Sequence, residues 1–303
     1  MTAHRSTIPL IAAAGLLCCC GTGCQWLGAM CGPPPVRVLP QAPTLEQVVE
    51  VVNRNNAAIN SFSTTEARLS GPMLPMSLKA NVAYQKPGLL RIRADSVMGA
   101  ELDLGSNQDL FWFWVRRNEP QALYFCRHDQ FASSQAAGAV PIDPKTLIEI
   151  IGTAELDPTL THDGPKLLPG DRLGIRTVRQ SPEGPTTKLT VIDGISGWVV
   201  EQHIYDASGQ LVASSFLSEH RRDPLSGLVM PRVVKLNFPA TRTSLRLDLG
   251  NVSINQPAGN PAELWSLPHY EGAATVDLSS PNLQIPPASA SVRSTPSRNR
   301  LLR

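Results

Sequence analysis

The sequence lacks several features by which enzymes and nucleic-acid-binding proteins are usually identified. It has no glycine-rich phosphate loop and no serine or cysteine in a nucleophile motif beside a histidine, and its His, Asp and Glu residues do not cluster at metal-ligand spacings. Charged residues make up only 17% of the chain, and a net charge of +2 without a basic face argues against nucleic acid as a partner. We therefore predict a protein that is not an enzyme and that carries no metal ion or cofactor.

Cysteine is nearly absent from the body of the chain. Only Cys126 lies there, and the other five cysteines are crowded near the N-terminus. A disulfide framework would distribute its cysteines more evenly. We predict that Cys126 is a small buried apolar residue. A disulfide between Cys126 and Cys31 is the alternative.

A targeting segment accounts for the N-terminal cysteines. Arg5 precedes an apolar run, residues 8–20, that is too short to span a bilayer but suits a signal peptide. The run ends in Gly21-Thr22-Gly23-Cys24, which is similar to the lipobox of bacterial lipoproteins, although Gly21 stands where leucine is typical. We predict a lipoprotein signal peptide over residues 1–23 and an acylated Cys24, with an ordinary secretory signal or cleavage elsewhere as the alternatives.

The same segment predicts where the protein resides. Two or three acyl chains on Cys24 would hold the protein on a membrane, and no other stretch reaches the roughly 18 apolar residues needed to span one. Gln25 follows the cysteine where an Asp would favour inner-membrane retention. We predict a lipid-anchored protein of the cell envelope, on the outer membrane facing the periplasm.

Composition divides the rest of the chain into a tether, a domain and a tail. Residues 24–43 are rich in proline, which favours a stiff extended tether. Residues 273–303 are rich in Ser, Pro and Arg and are predicted to be disordered. The folded domain is predicted over residues 44–272.

Within the domain, strand patterns outnumber helix patterns. A capping box at Thr44 and Gln47 begins one helix, and Asp143 caps a second that carries Leu147, Ile148 and Ile151 as a stripe and ends at Gly152. Short alternating runs separated by turn residues fill most of the remainder. The fold class is mainly β, a curved antiparallel sheet with two or three helices covering its concave face.

The stretch Phe111-Trp112-Phe113-Trp114-Val115 holds four of the chain's sixteen aromatic residues. Adjacent side chains of a strand point to opposite faces, so this strand is apolar on both. One face is expected to line the inside of the sheet. The other needs cover from a helix, a partner or a lipid.

Three segments carry a resemblance to a known family. They are Leu90 to Leu104, Val140 to Gly152, and Met230 to Leu236 followed by the alternating Leu245, Leu247 and Leu249. They resemble a strand–turn–strand, a proline-led helix and the closing strands of the LolA/LolB-like carriers that pass lipoproteins along, above all the outer-membrane receptor type, itself a lipoprotein. Val97 and Met98 depart from the receptor's Pro and Leu in the turn, and the tail has no counterpart.

The resemblance implies an eleven-stranded half-open barrel that binds lipid acyl chains or lipoproteins without covalent chemistry. A membrane-contacting tip is expected at Val97 and Met98, since the matching receptor turn exposes a leucine that helps to deliver cargo. The rival interpretation is an envelope sensor or scaffold that binds a protein partner through the same fold. The oligomeric state is not predicted. The residues expected to line an apolar cavity are Leu90, Ile92, Leu102, Leu104, Phe111, Phe113, Leu147, Ile148 and Ile151.

Overall fold

The structure is a computed structural model. The chain divides into two units, Met1–Arg37 and Val38–Arg303. It describes residues 36–72, 74, 76–119, 121–131, 144–151, 153–181 and 184–280. Cys24, most of the tether, Asp143, Gly152 and the tail from residue 281 lie outside the described residues. The fold described below is that of the second unit.

Three helices are described, and local capping accounts for two of their starts. α1, Leu45–Asn56, begins at the predicted capping box: the Thr44 hydroxyl accepts from the Gln47 amide at 3.3 Å, and the Thr44 amide donates to Gln47 Oε1 at 2.9 Å. α2 is Pro144–Ile151. α3 is the short Pro261–Leu264, capped by the Asn260 side chain.

Seventeen strands are found in the described residues. They are β1 Ser61–Ser70, β2 Leu78–Gln85, β3 Leu89–Ser96, β4 Gly99–Ser106, β5 Leu110–Val115, β6 Ala122–Arg127, β7 His162–Leu168, β8 Arg172–Ser181, β9 Gly184–Asp193, β10 Val199–Tyr205, β11 Leu211–Ser218, β12 Arg221–Arg222, β13 Val229–Met230, β14 Val233–Phe238, β15 Thr243–Asp248, β16 Ser253–Ile254 and β17 Ala274–Asp277.

One large curved sheet contains nearly all of them. Its order is β17-β6-β5-β4-β3-β2-β1-β15-β14-β11-β10-β9-β8-β7, with β16 on β1, and β12 and β13 form a separate pair. The end strands β17 and β7 do not pair, so the sheet stays unclosed. The predicted mainly β, half-open architecture is confirmed, with fifteen sheet strands in the described residues instead of the eleven that the resemblance implies.

The C-terminal region corrects the prediction of a purely antiparallel sheet. β17 pairs parallel with β6, so the sheet is mixed and not purely antiparallel. Residues 274–277, which were predicted to lie in the tail, form this edge strand. Ala274–Asp277 is too short and too polar to stand out as a strand, and only pairing with the edge of β6 makes it one.

β1 and β7 were not predicted either, and neither were two-residue strands such as β12 and β16. β1 breaks its alternation at a bulge between Thr64 and Ala67, which hides the period of two from a pattern search. β7 has a register shift between Asp163 and Lys166 and buries no side chain fully. Both strands depend on neighbours that are distant in sequence.

The main core lies on one face of the sheet, which we call the inner face. Strand pairing places Val82, Ile92 and Leu104 opposite one another on it. α1 and α2 add Val48, Val52, Leu147, Ile150 and Ile151 to the same cluster of buried side chains. α1 and α2 therefore cover the inner face, and the opposite side of the sheet is the outer face.

Candidate functional site

The aromatic strand β5 separates its side chains between the two faces of the sheet. Phe113 lies opposite Leu104 and Tyr124 on the inner face, and its ring stacks on Tyr124 with centroids 5.0 Å apart. Trp112 and Trp114 point to the outer face, where they are 0% and 4% exposed. The sequence correctly marked this strand as apolar on both sides.

The cover over the two tryptophans comes from the chain's own C-terminal segment. We call residues 260–278 the strap. Tyr270 stacks on Trp114 with ring centroids 4.2 Å apart, and Leu267 and Ala273 pack against the same cluster. The outer face of β5 is therefore filled from within the chain.

A buried ion pair fixes the strap to the sheet. Arg91 donates to both carboxylate oxygens of Asp103, at 3.0 and 2.7 Å, and the two side chains are 8% and 0% exposed. The Tyr270 hydroxyl donates to the same carboxylate at 2.6 Å. Arg91 also donates to the backbone carbonyls of Glu263, Leu264 and Ser266. Burial and the neighbouring Asp103 carboxylate raise the pKa of Tyr270 above its ordinary value.

The residues predicted to line a cavity all occur on the inner face or on α2, but most of them are packed. Leu90, Ile92, Leu147 and Ile151 are buried in the main core. Phe111 is buried in a smaller cluster with Cys126 and Leu278. The half-buried members are Leu102, Leu104, Phe113 and Ile148.

Half-buried apolar side chains define a surface at the β4–β6 end of the inner face. Leu104, Phe113 and Tyr124 lie side by side across three strands, and Leu102 is two residues along from Leu104 on the same face. We call these four residues the acyl surface. Leu102, Leu104 and Phe113 belong to the predicted cavity wall and still expose apolar area, and Tyr124 extends this surface onto β6.

An open cleft of about 650 Å³ lies beside α2, a size typical of small-molecule sites. Of the nine predicted cavity residues, Ile148 lines it. The cleft is lined by Tyr84, Pro87, Gly88, Leu89, Asn107, Gln108, His128, Lys145, Ile148, Glu149, Thr153 and Arg179.

A charged cluster joins α2 to the sheet at this cleft. Glu149 accepts from Lys188 Nζ at 2.7 Å and from Arg179 at 2.8 Å. Burial alone would raise the pKa of Glu149, but the two cations outweigh it and hold that pKa below its ordinary value. None of these charged residues was predicted from the sequence to belong to a site. Lys188 lies on the same inward face of β9 as Thr190 and Ile192. A lysine at an inward position of a strand needs a buried partner, and this was the one sign in the sequence of a buried ion pair.

The turn between β3 and β4 exposes two apolar side chains. Val97 is 98% and Met98 75% exposed. Arg116 donates to the Met98 carbonyl at 2.7 Å, and the Met98 amide donates to the Ser96 hydroxyl at 3.1 Å. The turn is held by polar contacts while its apolar side chains point away from the core.

Within the described residues, no group of three or more His, Cys, Asp and Glu side chains is placed to hold a metal ion. In the same part of the chain, no helix combines the length and apolar character needed to cross a bilayer. His128 Nε2 contacts the Ser106 hydroxyl at 3.1 Å and the Asn107 carbonyl at 3.0 Å.

Comparison with known proteins finds likeness only at the level of the fold. No protein-family model and no curated protein matches the sequence. Similar solved structures include a domain described as an outer membrane lipoprotein-sorting protein from Vibrio parahaemolyticus, with 11% identity, a TM-score of 0.49, and coverage of 73% of this chain and 97% of that one.

Two further solved structures resemble this chain to a similar degree. A LolA superfamily protein from Nitrosomonas europaea has 9% identity and a TM-score of 0.46 over 74% of this chain and 98% of its own. A DUF1329 family protein from Desulfovibrio piger has 9% identity and a TM-score of 0.48 over 73% and 97%. The family that the sequence motifs resemble is thus represented among the structural neighbours. Likeness at these identities does not extend to ligands or activity.

Proposed function

We propose that this protein is a non-enzymatic envelope lipoprotein that binds the acyl chains of a lipid or lipoprotein on the inner face of its sheet. Cys24 anchors it to a membrane, the outer membrane in our proposal, and Val97 and Met98 contact the bilayer when cargo is transferred. The observation that carries the proposal is the acyl surface, an apolar strip left half-buried on the inner face of an unclosed sheet.

The physical argument begins with water. A half-buried strip of leucine and aromatic side chains keeps apolar area in contact with solvent, and covering it stabilises the complex by roughly 25 cal/mol per Å². Phe113 and Tyr124 are already stacked, so little side-chain order has to be lost when a chain binds. An unclosed sheet gives a flexible chain a side entrance that a closed barrel would deny.

A fluorescent fatty-acid probe tests the proposal on the full chain carrying Cys24→Ser, in which no acyl group on the protein can compete. We expect saturable binding and displacement by unlabelled lipid. Phe113→Asp should weaken binding by at least about tenfold, because losing about half of a buried phenylalanine costs roughly 1.4 kcal/mol.

The matched control is Phe216→Asp. Phe216 is 41% exposed and lies on the outer face, opposite Lys235 and Glu201. The Phe216→Asp variant should leave probe binding unchanged. The proposal fails if the folded chain does not bind the probe, or if the two variants weaken binding equally while their melting temperatures show that both are folded.

A further inference from the structure

The cleft beside α2 has an apolar side and a polar side. Tyr84, Leu89 and Ile148 contribute apolar surface, and Asn107, Gln108, Lys145 and Arg179 contribute amide and cationic groups. A purely apolar ligand would leave the polar side unused. The lining therefore suits a molecule with one polar and one apolar end.

Charge at the polar side is positive. Glu149 is the one carboxylate among the described lining residues, and Lys188 and Arg179 both pair with it. Lys145 is exposed and forms no ion pair with any described residue. Among the described lining residues, one carboxylate faces two cations, which leaves an excess of one positive charge; Lys145 is available to a ligand, and Arg179 is still 39% exposed beyond its bond to Glu149.

The cleft is also close to the acyl surface. Ser106, the residue before Asn107, lies opposite Phe111 and on the same inner-face row as Leu104. Two residues along a strand span about 7 Å. A polar group held at the Asn107 turn would therefore place an attached acyl chain within reach of Leu104 and Phe113.

We propose that this cleft is the headgroup site of the acyl ligand, and that the headgroup is anionic, a carboxylate or a phosphate carried by the acyl chain itself. This inference rests on the proposed function and adds the chemical class and the orientation of the ligand. Lys145 and Arg179 bind the anion, the side-chain amide of Gln108 donates to its oxygens, and the chain runs from the cleft onto the acyl surface.

Three amphiphiles with the same chain separate headgroup recognition from chain binding: palmitate, hexadecanol and hexadecylamine. Each displaces the fluorescent probe from the full chain carrying Cys24→Ser. We expect palmitate to bind about fivefold or more tightly than the alcohol, and the difference to shrink as salt is added. Inorganic phosphate, which has the anion without a chain, should not displace the probe.

The decisive variant is Lys145→Glu. We expect it to weaken palmitate binding about fivefold or more, to leave hexadecanol unchanged and to strengthen hexadecylamine, since the charge that meets the headgroup is reversed. Lys79→Glu is the matched control, because Lys79 is an exposed lysine on β2 whose register partners are Arg68 and Asp95. Lys79→Glu should leave the binding of all three amphiphiles unchanged.

The outcomes distinguish this inference from the proposed function. If all three amphiphiles bind equally and Lys145→Glu changes none of them, the headgroup site is refuted while acyl binding stands. Equal weakening of all three by Lys145→Glu also refutes it, because the lysine then acts through packing. Displacement by phosphate alone would show a site for free anions. Failure of every amphiphile to bind overturns the proposed function itself.

Discussion

Removing Arg91 should release the strap and destabilise the domain strongly. Arg91→Met deletes the guanidinium that binds Asp103 through two hydrogen bonds, and it leaves that fully buried carboxylate with the Tyr270 hydroxyl as its main partner. Breaking a buried ion pair by removing one partner costs about 3–5 kcal/mol. Three strap carbonyls lose their donor as well, at Glu263, Leu264 and Ser266.

The chain offers a matched control in Arg93, two residues along the same strand and on the same face. Arg93 Nε lies 3.7 Å from Asp103 Oδ2, to which Arg91 also binds, but the Arg93 side chain is 50% exposed. Exposed ion pairs contribute about 0–1 kcal/mol, so Arg93→Met should cost no more than that. For a domain of this size, 1 kcal/mol corresponds to about 2–4 °C in melting temperature. Arg91→Met should therefore lower it by about 6–20 °C, and Arg93→Met by less than about 4 °C.

Urea unfolding followed by circular dichroism measures both variants, and tryptophan emission adds a local signal. The Arg91 guanidinium lies 5.4 Å from the ring centroid of Trp112, and Tyr270 covers Trp114. If Arg91 fixes the strap, its loss should shift native-state emission to longer wavelength because water reaches the indoles. Equal losses of stability in the two arginine variants, or a loss below about 1 kcal/mol for Arg91→Met, would refute the reasoning.

Two further predictions concern the membrane. Cys24→Ser should abolish labelling of the protein by radioactive palmitate in cells, since the proposed acylation needs that thiol, and undiminished labelling would contradict the assignment. Met98→Glu should leave folding and probe binding intact but impair transfer of bound lipid to liposomes, because a 75% exposed apolar side chain is replaced by a charge. Burying one such side chain in a bilayer is worth roughly 1.5–3 kcal/mol. Glu66→Gln, an exposed change on β1, is its control; a fall of many degrees in melting temperature with unchanged transfer per folded molecule would refute the role of Met98.

Local signals were enough to predict much of the fold. The capping box at Thr44 forms as expected because its two hydrogen bonds join residues three apart. Short runs between turn residues form strands as predicted, among them Ala122–Arg127 and Leu211–Ser218, since alternation and turn residues are short-range properties. The β5–β6 hairpin forms for the same reason.

The candidate site was predictable only in part. Alternation along β5 identified Phe111 and Phe113 as one face, and the structure places both on the inner side. The sequence did not reveal that Leu90 and Ile92 are packed under the helices while Leu104 and Phe113 stay half-buried. The part of a sheet face that is buried depends on where the helices pack against it. The alternation of side chains along a strand does not predict that position.

The sequence by itself determined most of the strands and helices, although not β1, β7 or β17, and it determined that β5 is apolar on both faces. Only the tertiary structure decided what covers each face. Arg91 binds a strap carbonyl that is 175 positions away in the sequence, and Lys188 binds Glu149, which is 39 positions away. A turn, a cap or an alternating strand is specified by residues a few positions apart, whereas contacts like these depend on chain topology. They form because a buried charge must find a partner in the folded chain, wherever along the sequence that partner lies.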